Sequence, residues 1–361
     1  MRNFKTKFSP LALLLVSITF MLSVPLNAGA ADLKEGERYT LTVLHTNDIH
    51  GHVDKLPKFA TVINETKNNT GLNVLVLDGG DIFLRGEFQE FQGIPEIRMM
   101  NAMGYDAMVC GNNDFRVPPA GGTPSDGNNQ LKALSETAQF PLLCANVKMK
   151  DSGQYSEFVK PFIVKEVRGV KIGIIGVTSM KPQDRDWTEV SDKVFERGDI
   201  TLNNLINTVI SEADVIIVLS HAGLIVDTYM AGTNGVSAII GADDHIVMPE
   251  PIYYATGYGE TGTPIVQNGG EFEHYLGRID LTFEKTGNAM KLVEYSRCLY
   301  SMEDVNEDVE VMSIIAEYRS EDSEPCPLPE TGCDIGFPVL AIVIVALFSG
   351  AVLFRRKKSL S

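Results

Sequence analysis

Short apolar runs and helically spaced apolar positions alternate along most of this 361-residue chain. Leu41 and Val43 alternate with threonines and then give way to Asn47-Asp48-Ile49-His50-Gly51, which predicts a strand that breaks into a polar turn. Val74-Leu75-Val76-Leu77 is continuously apolar and predicts a buried strand over 73–78. Further strands are predicted at 105–110, 141–146, 214–219, 236–240, 264–267, 275–283 and 289–295. Segments 155–167 and 170–177 alternate about Arg168-Gly169 and predict a hairpin. Leu56, Phe59, Ala60 and Ile63 set a helical spacing over 55–67. Helices are also predicted at 94–103, stopped by Gly104, and at 130–138, 201–213 and 306–319, with a Pro/Gly/Asn-rich loop over 118–129. Strands interleaved with helices predict an α/β fold, its sheets flanked by helices.

The two ends have a different grammar. Arg2, Lys5 and Lys7 precede the apolar run 11–22, and Ala28-Gly29-Ala30 offers small residues for cleavage, so 1–30 reads as an export signal. Residues 335–354 are apolar and uncharged, long enough to span a bilayer, and Arg355, Arg356, Lys357 and Lys358 follow as a cytoplasmic anchor. Leu328-Pro329-Glu330-Thr331-Gly332 stands just before that span. The three parts together resemble the sorting signal of Gram-positive surface proteins. That resemblance implies cleavage after Thr331 by a sortase and attachment to peptidoglycan, with the membrane met only through the C-terminal anchor. The expected organisation is a signal at 1–30, a folded domain at 31–300, a linker at 301–327 and the sorting region at 328–361, with the domain displayed outside the cell, attached to the wall or, if uncut, held by a permanent membrane anchor.

Charge narrows the partners. The ends carry seven of the 31 basic residues and one of the 47 acidic ones, which leaves 24 against 46 in residues 31–331. So acidic a surface repels nucleic acid and anionic lipid. A small phosphorylated substrate remains compatible where bound cations offset the local charge. The five cysteines include no C-x-x-C pair. Cys110 and Cys144 end apolar runs and read as buried strand thiols, while Cys298 and Cys326 are candidates for a pair.

The chemistry lies where predicted strands end. Five such ends carry metal-capable side chains in Gly- or Asn-containing turns: Asp48 with His50, then Asp81, Asn112, His221, and Asp243 with His245. Active sites in helix-flanked sheets gather beyond strand carboxyl ends, and Asp and His are costly to bury unpaired. Five turns of this kind point to one site with two metals, and Asp81 can serve two ions through its two oxygens. Elsewhere His45 reads as a core residue or one that braces a ligand, His52 as a solvated turn residue with substrate contact as the alternative, and His274 as structural; Trp187 sits in a polar loop, where stacking on a ligand is the less favoured reading. Asp78 either braces a ligand or serves its turn.

Asn47-Asp48-Ile49-His50-Gly51, Gly80-Asp81, Gly111-Asn112, Ser220-His221 and His245 resemble the calcineurin-like metallophosphoesterases, specifically their 5′-nucleotidase branch. Met100-Asn101-Ala102-Met103-Gly104-Tyr105-Asp106-Ala107 and Tyr275-Leu276-Gly277-Arg278 extend the likeness, which covers roughly residues 39–283. The resemblance implies a four-layer αββα sandwich with a dinuclear metal site at strand carboxyl ends. It implies that Asp48, His50, Asp81 and His245 hold one ion, and that Asp81, Asn112 and His221 hold the other.

Three departures accompany it. Where the family has Gly-Asn-His and a later Asp, this chain has Asn113 and Arg116, so the imidazole that assists phosphoryl transfer and the carboxylate that orients it are replaced. The first His of Gly-His-x-His is Asp243, with Asp244 as the neighbouring alternative. A hard anionic ligand shifts the preference among Mn, Mg, Zn and Fe toward manganese or magnesium. The 5′-nucleotidases also carry a second domain that grips the nucleoside, and none is expected after Phe283. Two functions remain: a cell-surface phosphoesterase acting on nucleotides or related phosphomonoesters with reduced efficiency, or a catalytically degenerate surface protein that binds metal or ligand.

Overall fold

In the computed structural model, residues 33–117, 122–254, 262–271 and 275–320 are described. The chain runs β1 (Arg38–Thr46), α1 (Leu56–Asn68), β2 (Asn73–Asp78), α2 (Ile94–Met103), β3 (Ala107–Val109), α3 (Pro124–Thr137), β4 (Leu142–Leu143) and β5 (Val147–Met149). The predicted hairpin follows as β6 (Phe162–Val167) and β7 (Val170–Thr178), then α4 (Lys181–Asp184), β8 (Lys193–Phe195), α5 (Gly198–Ile210), β9 (Val215–His221), α6 (Leu224–Ala231) and β10 (Ala238–Ile240). The last elements are β11 (Ile252–Tyr254), β12 (Thr263–Val266), β13 (Gly277–Thr286), β14 (Ala289–Leu299) and α7 (Val309–Arg319).

Two six-stranded sheets form, ordered β14-β13-β1-β2-β3-β4 and β11-β12-β10-β9-β7-β6, with β5 and β8 as a separate ribbon. β1 through β4 run parallel, as do β7, β9, β10 and β12; antiparallel pairing closes three of the four edges, at β14, β11 and β6, and parallel β4 forms the fourth. Strand periodicity then sorts the side chains into layers. Leu41, Val43, Leu75 and Leu77 of one sheet meet Ile172, Ile174, Ile217 and Leu219 of the other in a shared core. Their alternates Leu44 and Val76 face helices α1, α2 and α3. Ile175, Val177, Ile216 and Val218 face α5 and α6. The result is the expected αββα sandwich, and continuous apolar runs such as 74–77 are what strands covered on both faces require.

Two boundaries differ from the sequence reading. Helix α3 begins at Pro124, inside the expected loop, because Thr123 and Asp126 form a reciprocal capping box with proline in the first turn. Those signals outweigh the poor helix propensity of Gly127, Asn128 and Asn129. The folded region also continues past residue 300 into the segment expected as linker. Asp308 caps α7 by accepting from the Glu310 and Val311 amides, and Val311 and Ile315 are buried in the helical layer. Arg98 of α2 grips Glu317 through two bonds of 2.6 and 2.8 Å.

Cys110 and Cys144 are buried free thiols and Cys298 is exposed and free. Cys326, His274, the export signal, the 328–332 motif and the apolar span 335–354 lie outside the described residues. Among the described residues no helix is long and apolar enough to cross a membrane.

Glu96 of α2 is fully buried, and neither carboxyl oxygen has a hydrogen-bond partner. Burial pushes its pKa up to about 8 from an ordinary 4.5. The unfolded chain releases this proton near 4.5, whereas the folded chain keeps it to about 8. Stability from this group is therefore full below the lower value and falls as pH rises to the upper one, by roughly a few kcal/mol. Thermal melts from about pH 5 to about pH 9 should show a declining Tm in the wild type and a shallower decline in Glu96→Gln. Equal slopes would show that Glu96 does not hold its proton.

Candidate metal centre

The loops that follow β1 and β2 continue each other's pairing beyond the sheet. Asp48 N donates to Gly80 O, His50 N to Asp81 O and Gly51 N to Ile82 O, at 2.9, 2.9 and 2.8 Å. This ladder turns Asp48, His50 and Asp81 toward one point, in left-handed conformations with φ of +52°, +49° and +57°. Asp243 and His245, after β10, have φ of +80° and +56°. Ten non-glycine residues among those described have positive φ, and half are these five. Such conformations disfavour side-chain-bearing residues and persist where the surroundings impose them.

Close approach needs glycine. Gly80 has φ +89°, and a Cβ there would stand 2.5 Å from Gly111 N. A Cβ on Gly111 would stand 2.2 Å from Asp81 Oδ1. The carboxylate thus lies against bare backbone.

All seven residues expected as ligands come together. His245 Nε2 is 3.3 Å from Asp48 Oδ1, and His50 Nε2 is 3.9 Å from that oxygen and 3.8 Å from Asp81 Oδ2. His221 Nε2 is 3.3 Å from Asp81 Oδ2, 3.8 Å from Asp48 Oδ1 and 3.5 Å from Asp243 Oδ1. Two donor triads are close enough to share an ion: Asp48 with His50 and His245, and Asp48 with Asp81 and His221. Asp48 belongs to both, whereas the resemblance assigns the shared position to Asp81. Asp244 turns away from the cluster and accepts from Leu224 N at the start of α6.

Electrostatics tie these groups together. Burial opposes ionisation of Asp81, yet the His221 and His50 imidazoles hold its carboxyl below the usual range. Burial opposes protonation of His221, but Asp81, Asp48 and Asp243 together raise its pKa well above the ordinary value. His50 is lowered by burial, and His245 is raised by its contact with Asp48. Asp48 Oδ1 and His221 Nε2 are buried and have no aligned hydrogen-bond partner. Unsatisfied buried donors and acceptors are costly, and a divalent cation between them would satisfy both. The residues therefore fit the metal that their chemistry suggests.

The expected replacements sit as the sequence places them. Asn113 donates from its backbone to Asp81 Oδ1 at 2.7 Å and from its side chain to Asp81 Oδ2 at 2.6 Å. The Arg116 guanidinium stacks 4.4 Å from the centre of the Trp187 ring. Both line a cleft of about 250 Å³ with His50, Asp81, Asn112, Asp243 and His245. Arg85, Lys181 and Arg185 line it too. Sequence reasoning did not find these three cations, because no strand-end pattern marks them.

It also missed the braces. Buried Asp114 accepts from Gly111 N, Asp81 N and Ile82 N at 2.7, 2.9 and 3.2 Å and so staples two site loops together. Burial and the neighbouring Asp81 push its pKa up to about 7. Asn47 donates to Asp48 Oδ2 at 2.7 Å and to Gly269 O at 2.6 Å. Asp78, which the sequence did single out, accepts from Thr46 Oγ1 and Gly80 N and so serves the turn that carries Asp81. His45 is a buried core residue, as expected.

Residues 41–247 match the family model described as calcineurin-like phosphoesterase. This chain belongs to that family. The chain is 31% identical over 278 residues to the trifunctional nucleotide phosphoesterase protein YfkN of Bacillus subtilis, a match covering 69% of this chain and 18% of that protein. It is 29% identical over 319 residues to the snake venom 5′-nucleotidase of Gloydius brevicauda, covering 78% of this chain and 50% of the relative. The chain thus spans half or less of the length of these two relatives. Its fold resembles the crystal structure of a 5′-nucleotidase precursor from Thermus thermophilus, with a TM-score of 0.66 and 24% identity over 78% of this chain and 58% of that one. The phosphoesterase YfkN structure from Bacillus subtilis gives a TM-score of 0.62 at 24% identity, covering 78% of this chain and 97% of that one.

Substituting Gly111→Ala should destabilise the protein by about 1–3 kcal/mol, because the added methyl must displace the Asp81 carboxylate or its loop. Chemical denaturation reads the loss. Gly71→Ala is the control, in an exposed turn where an added methyl would meet only the Asn69 side chain, at 3.3 Å. Equal stability of the two variants would contradict the packing described for Asp81.

Proposed function

We propose that this chain is a metal-dependent phosphoesterase that hydrolyses extracellular nucleotides or related phosphomonoesters. The observation that carries this reading is the convergence of strand-end donors around the unpartnered, buried Asp48 Oδ1 and His221 Nε2. In this reading Asp48, His50, Asp81 and His245 serve one divalent ion, and Asp81, Asn112, His221 and Asp243 serve a second. Divalent ions held there would supply Lewis-acid chemistry, activating water and stabilising the attacking and leaving oxygens of a displacement at phosphorus. The terminal sequences support display on the cell surface, with sortase and peptidoglycan as partners.

The chain's own residues supply the rest. Arg85, Arg116, Lys181 and Arg185 give the cleft a cationic lining that suits a phosphate. Trp187 holds the Arg116 guanidinium over its ring by cation–π contact. Asn113 can donate a hydrogen bond but supplies no proton at neutral pH. General acid–base assistance is typically worth about 10²–10⁴-fold. Turnover is therefore slow for alkyl phosphates and faster where the leaving group needs no proton, as in aryl phosphates and phosphoanhydrides.

One observation favours the alternative, a degenerate surface protein that binds metal or ligand: the Asn113 amide engages Asp81 Oδ2, an oxygen that the phosphoesterase reading needs for metal. Assays of an aryl phosphate and several nucleotides with added manganese separate the two. Turnover should be lost in Asp81→Ala; activity no greater than that control would leave the binding reading. Combining Asn113→His with Arg116→Asp should raise turnover of alkyl phosphates, by as much as about 10²-fold. An inert double variant would count against the proposed placement of the ions.

A further inference from the structure

Lys181 opens α4, and its side chain returns to the cleft, where Nζ lies 2.6 Å from Asp243 Oδ1. The same oxygen is 3.5 Å from His221 Nε2. It also meets the Asn112 amide. Turned so that its nitrogen faces Asp243, that amide donates to Oδ1 at 2.9 Å and accepts from Asn113 N and Nδ2 at 3.0 and 2.9 Å. Turned the other way, its nitrogen donates to Asp81 Oδ2 at 3.3 Å and its oxygen faces Asp243 Oδ1, an oxygen pair that a cation between them would favour.

The two sides of the centre therefore differ. Asp48 Oδ1 is buried without a hydrogen bond and is ready to ligate. Asp243 Oδ1 already holds the Lys181 ammonium, so its charge is met from within the chain. Two of the other cleft cations are held differently: Arg85 pairs with Glu271 at 2.5 Å, and Arg116 lies over Trp187. Asp243 also stands where the family resemblance places an imidazole. A neutral ring there would give a lysine nothing to pair with, whereas a carboxylate does.

We propose that Lys181 competes with the second divalent ion for Asp243, so that the two positions load unequally. One ion binds on the Asp48–His50–His245 side with Lys181 in place. The second binds only by displacing the ammonium from Asp243, against like-charge repulsion at short range. The inference rests on the metal-dependent reading above and adds that metal content, rather than the protein alone, decides whether the second position is filled.

Titration of the purified metal-free protein with manganese, following free Mn(II) by electron paramagnetic resonance, counts the ions and their affinities without any assay of activity. The wild type should bind one ion tightly and a second at least about tenfold more weakly. Lys181→Met should tighten the second ion by about tenfold or more, and Lys181→Arg should retain the wild-type gap. Lys181→Gln is a second neutral variant should the methionine protein fail to fold. Two ions of equal affinity in the wild type, or an unchanged second affinity in the neutral variants, would overturn the competition while leaving the metal-dependent reading intact. No bound ion in any of these proteins would overturn both.

Discussion

Three carboxylates and three imidazoles converge at one end of two sheets, and their crowding is the constraint on which the rest of the structure depends. Asp48 and Asp81 are buried, and ionised groups in such a place repel one another as well as losing water. The imidazoles offset part of that repulsion, which is why Asp81 is held acidic while His221 is driven toward its protonated form. Backbone geometry does the remaining work. The interloop ladder, the left-handed residues and the Asp114 staple fix the side chains before any ligand arrives, so little ordering is left to occur on binding.

The scaffold reaches this end from far away in sequence. Arg297, on edge strand β14, donates to Gln267 O and Asn268 Oδ1 at 2.7 Å and lies 3.0 Å from His45 Nε2. Asn268 in turn donates from its backbone to Asn47 Oδ1, and Asn47 donates to Asp48. A polar chain therefore runs from the sheet edge to a candidate ligand. Burial lowers the pKa of Arg297 to about 10, a sign that this guanidinium has been taken out of water to act as a brace. Residues beyond the matched segment 41–247 thus take part in holding the site.

How much of this is legible in the sequence follows from how local each signal is. Helix α2 can be read to the residue, because apolar spacing and Gly104 lie in one short window. The candidate ligands can be read because five apolar strands each end in a turn carrying Asp, Asn or His, a recurrence beyond what ordinary turn chemistry in any one of them requires. Helix α3 reads too short because its capping signal precedes poor helix formers. Asp114, Asn47 and Arg297 escape for another reason. Each acts through a partner brought close only by folding, and nothing beside them in sequence distinguishes a brace from a surface polar residue. Lys181 is the same case: its partner Asp243 lies 62 positions away.

Net charge proves a poor guide to what the cleft prefers. The region between the two terminal signals is strongly acidic, yet Arg85, Arg116, Lys181 and Arg185 surround the candidate ligands. Charges more than a Debye length away are largely screened, at about 8–10 Å under ordinary salt, so an anion in the cleft responds to these four cations more than to the distant acidic surface. The acidic exterior keeps polyanions with many phosphates away, because they must lie along it, while a small phosphate fits inside the cationic lining. In the proposed reading, size and local field together favour a small phosphorylated molecule over nucleic acid.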